Sequence, residues 1–311
     1  SIGENPDSTS NSFSGVMSHV HYVDGLALPY TDFGSFDSTT GNWKINTTPT
    51  VASYGNNGYF VLKDSNSVTD QSGEGHNFTV GNGTLSNTED CPSNSFATFN
   101  PALVFRSPGH DLNRGNTQCT NSTGTWYWRP ATLAASSGKF YCEVRISAVG
   151  VSINGVCDLD DCTGYSGVDT HFGKTATAAN GRGFAWYQDG RIYYNDTNGS
   201  VIETYTTNDI LRMALDIDNG AFYIGKNSNT WSNGGDPTSG ASRTGAVATW
   251  TVGGMWTFAN AVASSAVNQF NFGNGIFGQN NSVASAGTNA SGNGIFEYDV
   301  PTGYTALSTK G

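Results

Sequence analysis

Charge is scarce in this chain, and long apolar runs are missing altogether. Charged residues make up 13% of the 311 residues. No stretch is apolar for long enough to cross a bilayer as a helix, and the first residues lack a secretory pattern, so no membrane insertion is expected. Basic clusters are also absent. With 14 basic against 25 acidic residues and a net charge of −11, the chain has no electrostatic footprint for a nucleic-acid partner. Helical periodicity is almost missing. The five cysteines, Cys91, Cys119, Cys142, Cys157 and Cys162, cannot all pair within one chain, and none stands in zinc-ligand spacing. The chain begins at Ser1 rather than Met, which fits either Met removal or cleavage from a longer precursor.

Glycine and aromatics are plentiful. There are 40 glycines, and aromatic residues are 12% of the total. Disordered chains are charged and poor in aromatics, so this one is expected to fold. Short apolar runs between loops rich in Gly, Asn, Ser and Thr predict an all-β protein.

The strands can be read individually. Phe140, Cys142, Val144 and Ile146 alternate with Tyr141, Glu143 and Arg145, which predicts a half-buried strand with a polar outer face and a buried thiol at Cys142. Gly183–Tyr187 leads through Gln188-Asp189-Gly190 into Arg191–Tyr194, a hairpin whose turn needs the positive φ that Gly supplies. Leu211, Met213, Leu215 and Ile217 share a face, turn at Asp218-Asn219-Gly220, and return through Phe222–Ile224. Further strands are expected at Met255–Phe258 and Gln269–Phe272, the whole forming an antiparallel meander. Val20–Gly25 and Gly58–Leu62 are strand-like within a loop-heavy leader. The boundary falls near Cys91 to Asn100, placing a leader at 1–97 and a sandwich at 98–311. The low-complexity stretch Gln279–Gly294 is expected to be a long mobile loop.

Several motifs in order carry a family resemblance. Ser137-Gly138-Lys139-Phe140-Tyr141-Cys142-Glu143-Val144 resembles the opening strand of SPRY domains. Met213-Ala214-Leu215-Asp216 with Asp218-Asn219-Gly220, then Phe222–Asn227, Asn271-Phe272-Gly273 and Val300–Leu307, are similar to the later SPRY elements. The resemblance covers roughly residues 100 to 308 and implies a concanavalin A-like β-sandwich. Arg212, Met213 and Gly225 depart from the family pattern. The leader elements Asp24-Gly25, Tyr30–Gly34, Gly41–Lys44, Tyr54–Phe60, Asp70–Thr79 and Pro92–Pro101 resemble a segment of marine phage proteins. Phe13–Tyr22 is similar to the closing strands of a LamG domain. These resemblances imply a virion component (fibre, tail or capsid decoration) that sits on the particle surface. Its expected partners are further copies of itself, other virion proteins and a host-surface glycan.

The candidate chemistry follows. Trp126, Tyr127 and Trp128 beside Arg129, together with Tyr165, are candidate stacking residues for a glycan or partner. A strand whose aromatics alternate into the core is the other reading, and Trp186, Tyr193 and Tyr194 share that ambiguity. Asp158, Asp160 and Asp161 lie in a loop that Cys157 and Cys162 flank and are placed to bridge by a disulfide. Their oxygens make Ca²⁺ the one candidate cofactor, although the Gly and distal Glu of an EF-hand loop are lacking. The alternative readings are a solvated loop without metal and, for the whole chain, a carbohydrate-binding module. A glycoside hydrolase or lyase is disfavoured because Glu143, Glu203 and Glu297 have no second acid at strand spacing, so no catalytic residue is assigned. Asp216 and Asp218 end at a turn and are expected to be structural. His19 and His21 share a strand face with no third ligand in view. Gly273–Gly278 fits a dinucleotide-loop pattern by letter but precedes no helix.

Overall fold

A computed structural model describes residues 2, 17–38, 41, 43–63, 67–81, 85, 89–90, 94–102, 111–162, 171–173, 183–195, 197–278, 281–284, 287–289 and 291–310, with only the backbone of Asp161, Cys162 and Asn281. Two compact units emerge, Ser1–Thr88 and Glu89–Gly311. This boundary lies ahead of the one expected at 97/98. The reason is that Asn94–Asn100 is built into the second unit: Phe96 bridges to Ser308, Phe99 bridges to Ala131, and both rings are buried.

The first unit carries β1 (Val20–Tyr22), β2 (Gly34–Phe36), β3 (Trp43–Ile45) and β4 (Tyr59–Val61). They form two small antiparallel pairs, β1 with β4 and β2 with β3. Burial here is thin, so side-chain hydrogen bonds carry much of the order. Asp70 accepts from the N–H groups of Phe60, Ser72 and His76 and from Ser72 Oγ. Burial works against the Asp70 carboxylate, but these four donors outweigh it and hold its pKa down to about 2. His21 stacks on Phe60 at 3.9 Å and bonds Tyr54 Oη through Nδ1. Its burial, reinforced by nearby His19, lowers its pKa to about 4.

The second unit is an all-β sandwich. Its early strands are β5 (Asp111–Asn113), β6 (Gln118–Asn121), β7 (Tyr127–Pro130), β8 (Lys139–Ala148) and β9 (Val151–Asp158), the last followed by the single turn α1 (Leu159–Cys162). Then come β10 (Gly183–Tyr187), β11 (Arg191–Tyr194), β12 (Thr197–Val201), β13 (Ile210–Asp216), β14 (Ala221–Lys226) and β15 (Ala248–Thr249). The series closes with β16 (Trp256–Ala263), β17 (Ala266–Asn271), β18 (Ile276–Phe277), β19 (Asn281–Ser282) and β20 (Thr305–Ala306). One sheet runs β12-β11-β10-β9-β16-β7; the larger runs β15-β14-β13-β8-β17-β6-β5, with β20 added parallel to β8.

Both expected hairpins form, and Gly190 (φ 93) and Gly220 (φ 62) supply the left-handed turn residues. A simple meander does not. β8 and β9 are consecutive but lie in different sheets, as do β16 and β17, because each finds its partners far along the chain. The alternation in β8 places Phe140, Cys142, Val144 and Ile146 in the main core, where Cys142 is a fully buried free thiol. Polar residues also cross this core. Asn268 of β17 donates to Ser152 of β9 at 2.7 Å, Asn260 donates to Asn154, and Tyr205 Oη donates to the Ser152 carbonyl. The Asn268 bond joins the two sheets, and the Asn260 and Tyr205 bonds hold Asn154 and Ser152 of β9 in place for it, since each group is buried and needs its partner.

The outer face of β8 was expected to meet solvent, but it is covered. Tyr141 and Glu143 are fully buried under residues 295–298. Glu143 accepts from Glu297 N and Tyr298 N, each at 2.8 Å, from Tyr141 Oη at 2.9 Å and from Asn271 Nδ2 at 3.3 Å. Burial raises its pKa to about 7, with the four donors opposing the rise. Beside it in β13, Arg212 faces Gly225 across the strand pair. The guanidinium lies 4.8 Å from the Trp231 ring centroid and 5.5 Å from that of Tyr298. A Cβ on Gly225 would stand 2.7 Å from Arg212 Nη2. Two of the departures noted in the sequence, Arg212 and Gly225, are therefore one matched pair. The stretch expected as a mobile loop is also packed where it is described. Asn293 is buried, accepts from Asn94, and donates to Thr305 Oγ1 and Ser308 Oγ.

Candidate functional site

Alternation along the strands of the six-stranded sheet sends Trp128, Ile153, Cys157, Ala185, Ala259 and Ala261 to the face turned away from the main core. Gly155 and the three alanines make this floor shallow. Phe172 lies on it, so close that a Cβ at Gly155 would meet the Phe172 ring at 3.1 Å. The result is a second, smaller apolar cluster with part-exposed rings at its margin.

Those marginal rings form the candidate site. Trp126 lies 5.5 Å from His171 and 5.9 Å from Tyr187 by ring centroids. Tyr193 completes the group at 5.7 Å from His171 and 5.3 Å from Tyr187. Trp126, Tyr187 and Tyr193 are each partly exposed, whereas His171 is buried between them and accepts from Gly173 N through Nδ1. The β10–β11 hairpin creates the juxtaposition, since its register puts Tyr187 and Tyr193 on one face. At its tip, Arg191 pairs with Asp189 at 2.5 Å. Desolvation, followed by the Asp189 charge, raises the Tyr193 phenol pKa, so its hydroxyl remains a neutral donor and acceptor. Ring faces with hydroxyl and indole tips suit a ligand having both apolar C–H faces and hydroxyls.

Of the residues singled out by sequence, Trp126 and Tyr193 keep part-exposed rings in this group. Tyr127 and Trp128 belong to β7 and are buried, as the core-strand reading describes. Tyr165 lies outside the described residues. Tyr187 and His171 were not singled out. The hairpin alternation could have given Tyr187, whereas His171 comes from a distant segment and left no local signal.

Asp158 turns inward. It is 2% exposed, and its Oδ1 accepts from Met255 N at 3.0 Å and Asp160 N at 3.1 Å. Gly254 is the residue that makes room for this carboxylate. Asp160 is exposed, and the Asp161 side chain lies outside the described residues. Among the described residues no three His, Cys, Asp or Glu side chains converge on a metal position. Cys157 is fully buried, and its pairing with Cys162 falls on a side chain outside the described ones. The glutamates considered for catalysis each hold structure: Glu143 as above, Glu203 with Lys226 at 2.8 Å, and Glu297 through Ala284 N. Asp216 binds Lys139 at 2.9 Å and Asn219, while Asp218 accepts from Gly138 N, so both pin the turn.

The fold class is thus an all-β, mainly antiparallel sandwich accompanied by a small β-rich unit. Solved structures similar to it include the SPRY domain of human HERC1, at 14% identity and TM-score 0.42 over 55% of this chain and 96% of that one. Stonustoxin is similar at 15% identity and TM-score 0.39 over 56% of this chain and 27% of its own. The PSpry domain of TRIM65 is similar at 12% identity and TM-score 0.38, covering 56% and 87%. No family model matches the sequence, and no curated protein matches it.

Proposed function

We propose that this chain is a non-catalytic virion surface protein with a SPRY-type sandwich, acting in particle assembly and in contact with a host-surface glycan. The observation that carries the binding reading is the group of Trp126, Tyr187 and Tyr193, part-exposed rings gathered around His171 on one sheet face. Aromatic faces receive the C–H face of a pyranose, and the phenol hydroxyls can exchange hydrogen bonds with its hydroxyls. The virion setting is supported by the leader motifs from Asp24 to Pro101. Weak single contacts on a particle become useful through repetition, so the protein acts as a homo-oligomer.

A glycan array probed with the full chain, displayed multivalently, tests the binding reading. Wild type is expected to bind a limited set of sugars, and Trp126→Ala to weaken that binding about 10-fold, the loss of one ring contact. The melting temperature should change little, because Trp126 sits at the margin of its cluster. No glycan bound by multivalent wild type would end the reading. Mass spectrometry of purified virions tests the setting independently.

A further inference from the structure

A recess opens at the end of β15, where Arg243, Thr249, Trp250, Thr251 and Val252 line a hollow of about 580 Å³. The surrounding chain is tightly held. Asp236 accepts from Thr238 N at 2.9 Å and Thr238 Oγ1 at 2.7 Å, and Thr244 N donates to Ser239 Oγ. Behind the recess is a stack of rings. Trp250 packs on Trp256 at 4.1 Å and on Phe184 at 5.6 Å, and Phe184 stacks on the exposed Tyr194 at 4.7 Å. The wall is therefore rigid before any ligand arrives.

Arg243 is the unusual residue. It holds φ 47 and ψ 39, a left-handed conformation that a residue with a Cβ seldom adopts and that tends to persist at functional positions. Among the described residues its guanidinium makes one long bond, from Nη1 to the Trp250 carbonyl at 3.5 Å, while its backbone N–H caps the preceding turn at Gly240 O. Among the described residues Lys44, Lys139, Arg191 and Lys226 each pair with a carboxylate, and Arg243, like Arg145 and Arg212, pairs with none. In a chain of net charge −11, an arginine left without an acid at the rim of a recess is a local positive spot. Thr249 and Thr251 flank it, and both are exposed.

We propose that this recess binds an acidic saccharide, with Arg243 gripping a carboxylate or sulfate oxygen pair. A guanidinium presents a planar fork of N–H donors that matches such groups. Hydroxyls both donate and accept, so Thr249 and Thr251 complement the vicinal hydroxyls of a sugar ring. Val252, 54% exposed, and the fixed Trp250 supply the apolar wall against which the ring lies. The site is separate from the Trp126 group and does not depend on it.

Isothermal titration of the full chain with trigalacturonate, a sulfated galactan tetrasaccharide and neutral galactotriose tests this. At least one acidic sugar should bind, with the neutral one about 10-fold weaker or more. Which of the two acids binds identifies the oxyanion. Raising salt from about 20 to about 300 mM should weaken the acidic sugar, since an exposed charge contact is screened. Arg243→Gly removes the guanidinium and suits the left-handed backbone, so the fold should hold while affinity falls about 10-fold or more. Arg243→Lys should fall between, keeping charge but losing the fork. Trp126→Ala should leave this binding unchanged. Equal binding of acidic and neutral sugars, or full affinity in Arg243→Gly, would overturn the proposal. So would binding confined to a peptide with a free terminal carboxylate.

Discussion

Replacing Glu143 by Gln tests how the outer face of the larger sheet is sealed. The side chain is 0% exposed, and four donors converge on its two oxygens. A Gln amide offers one oxygen and one NH₂, so whichever way it turns, the nitrogen confronts the backbone N–H of Glu297 or Tyr298. One buried donor without an acceptor costs about 1–3 kcal/mol, and the bond weakened at the second donor on that oxygen, Tyr141 Oη or Asn271 Nδ2, adds about 1 kcal/mol more. A net loss of about 2–4 kcal/mol should lower the melting temperature by roughly 5–15 °C in a domain of this size.

The pH dependence sharpens the test. Folding raises the Glu143 pKa from 4.5 to about 7. The folded state thus keeps its proton longer than the unfolded chain does. The contribution of this group is full below pH 4.5 and is lost as pH rises through 7, by about 3 kcal/mol across the window. The neutral acid can donate its single proton to Tyr141 Oη while both oxygens still accept, which an amide nitrogen cannot imitate. The gap between wild type and Glu143→Gln should therefore be widest near pH 5 and narrow towards pH 8. Urea unfolding followed by tryptophan fluorescence reads it, because Trp126, Trp128, Trp186, Trp231, Trp250 and Trp256 all lie in the sandwich. A gap that widens with pH would mean that the four donors outweigh burial, and the reasoning would fail.

Other outcomes follow from particular contacts. Gly225→Val should push Arg212 off its place between Trp231 and Tyr298, destabilising the sandwich by about 1–3 kcal/mol. Adding Arg212→Gly should recover part of that loss, and urea midpoints of the single and double variants measure the coupling. His21, with its pKa lowered to about 4, binds fewer protons folded than unfolded, so its contribution is present above pH 6.5 and lost as pH falls towards 4. Protection factors of the backbone amides in β1 and β4 should fall as pH drops over that window, and His21→Phe should flatten the response.

Much of the strand inventory was legible because it depends on local rules. The hairpins at Asp189-Gly190 and Asn219-Gly220 follow from turn chemistry, and the inward face of β8 follows from the two-residue period of a strand. Arg212 and Gly225 could be seen as departures but not as partners, since only the register of β13 against β14 brings them together. The aromatic group divides in the same way. Trp126 was visible as a candidate, and Tyr187 was within reach of the hairpin alternation, but His171 and Phe172 reach the sheet from a segment with no strand signal of its own.

By itself, then, the sequence determined that this chain folds as strands and turns, which residues of each strand share a face, and that Cys142 is buried. It could not determine what covers each face. Glu143 and Tyr141 read as a polar outer surface, yet residues 295–298 lie over them; Asp158 read as a loop carboxylate, solvated or holding Ca²⁺, yet it is buried against Gly254 and Met255. Alternation reports the side of a strand on which a residue lies. Whether that side meets water, another sheet or a returning segment is set by contacts between residues far apart in the chain, and only the tertiary structure decides them.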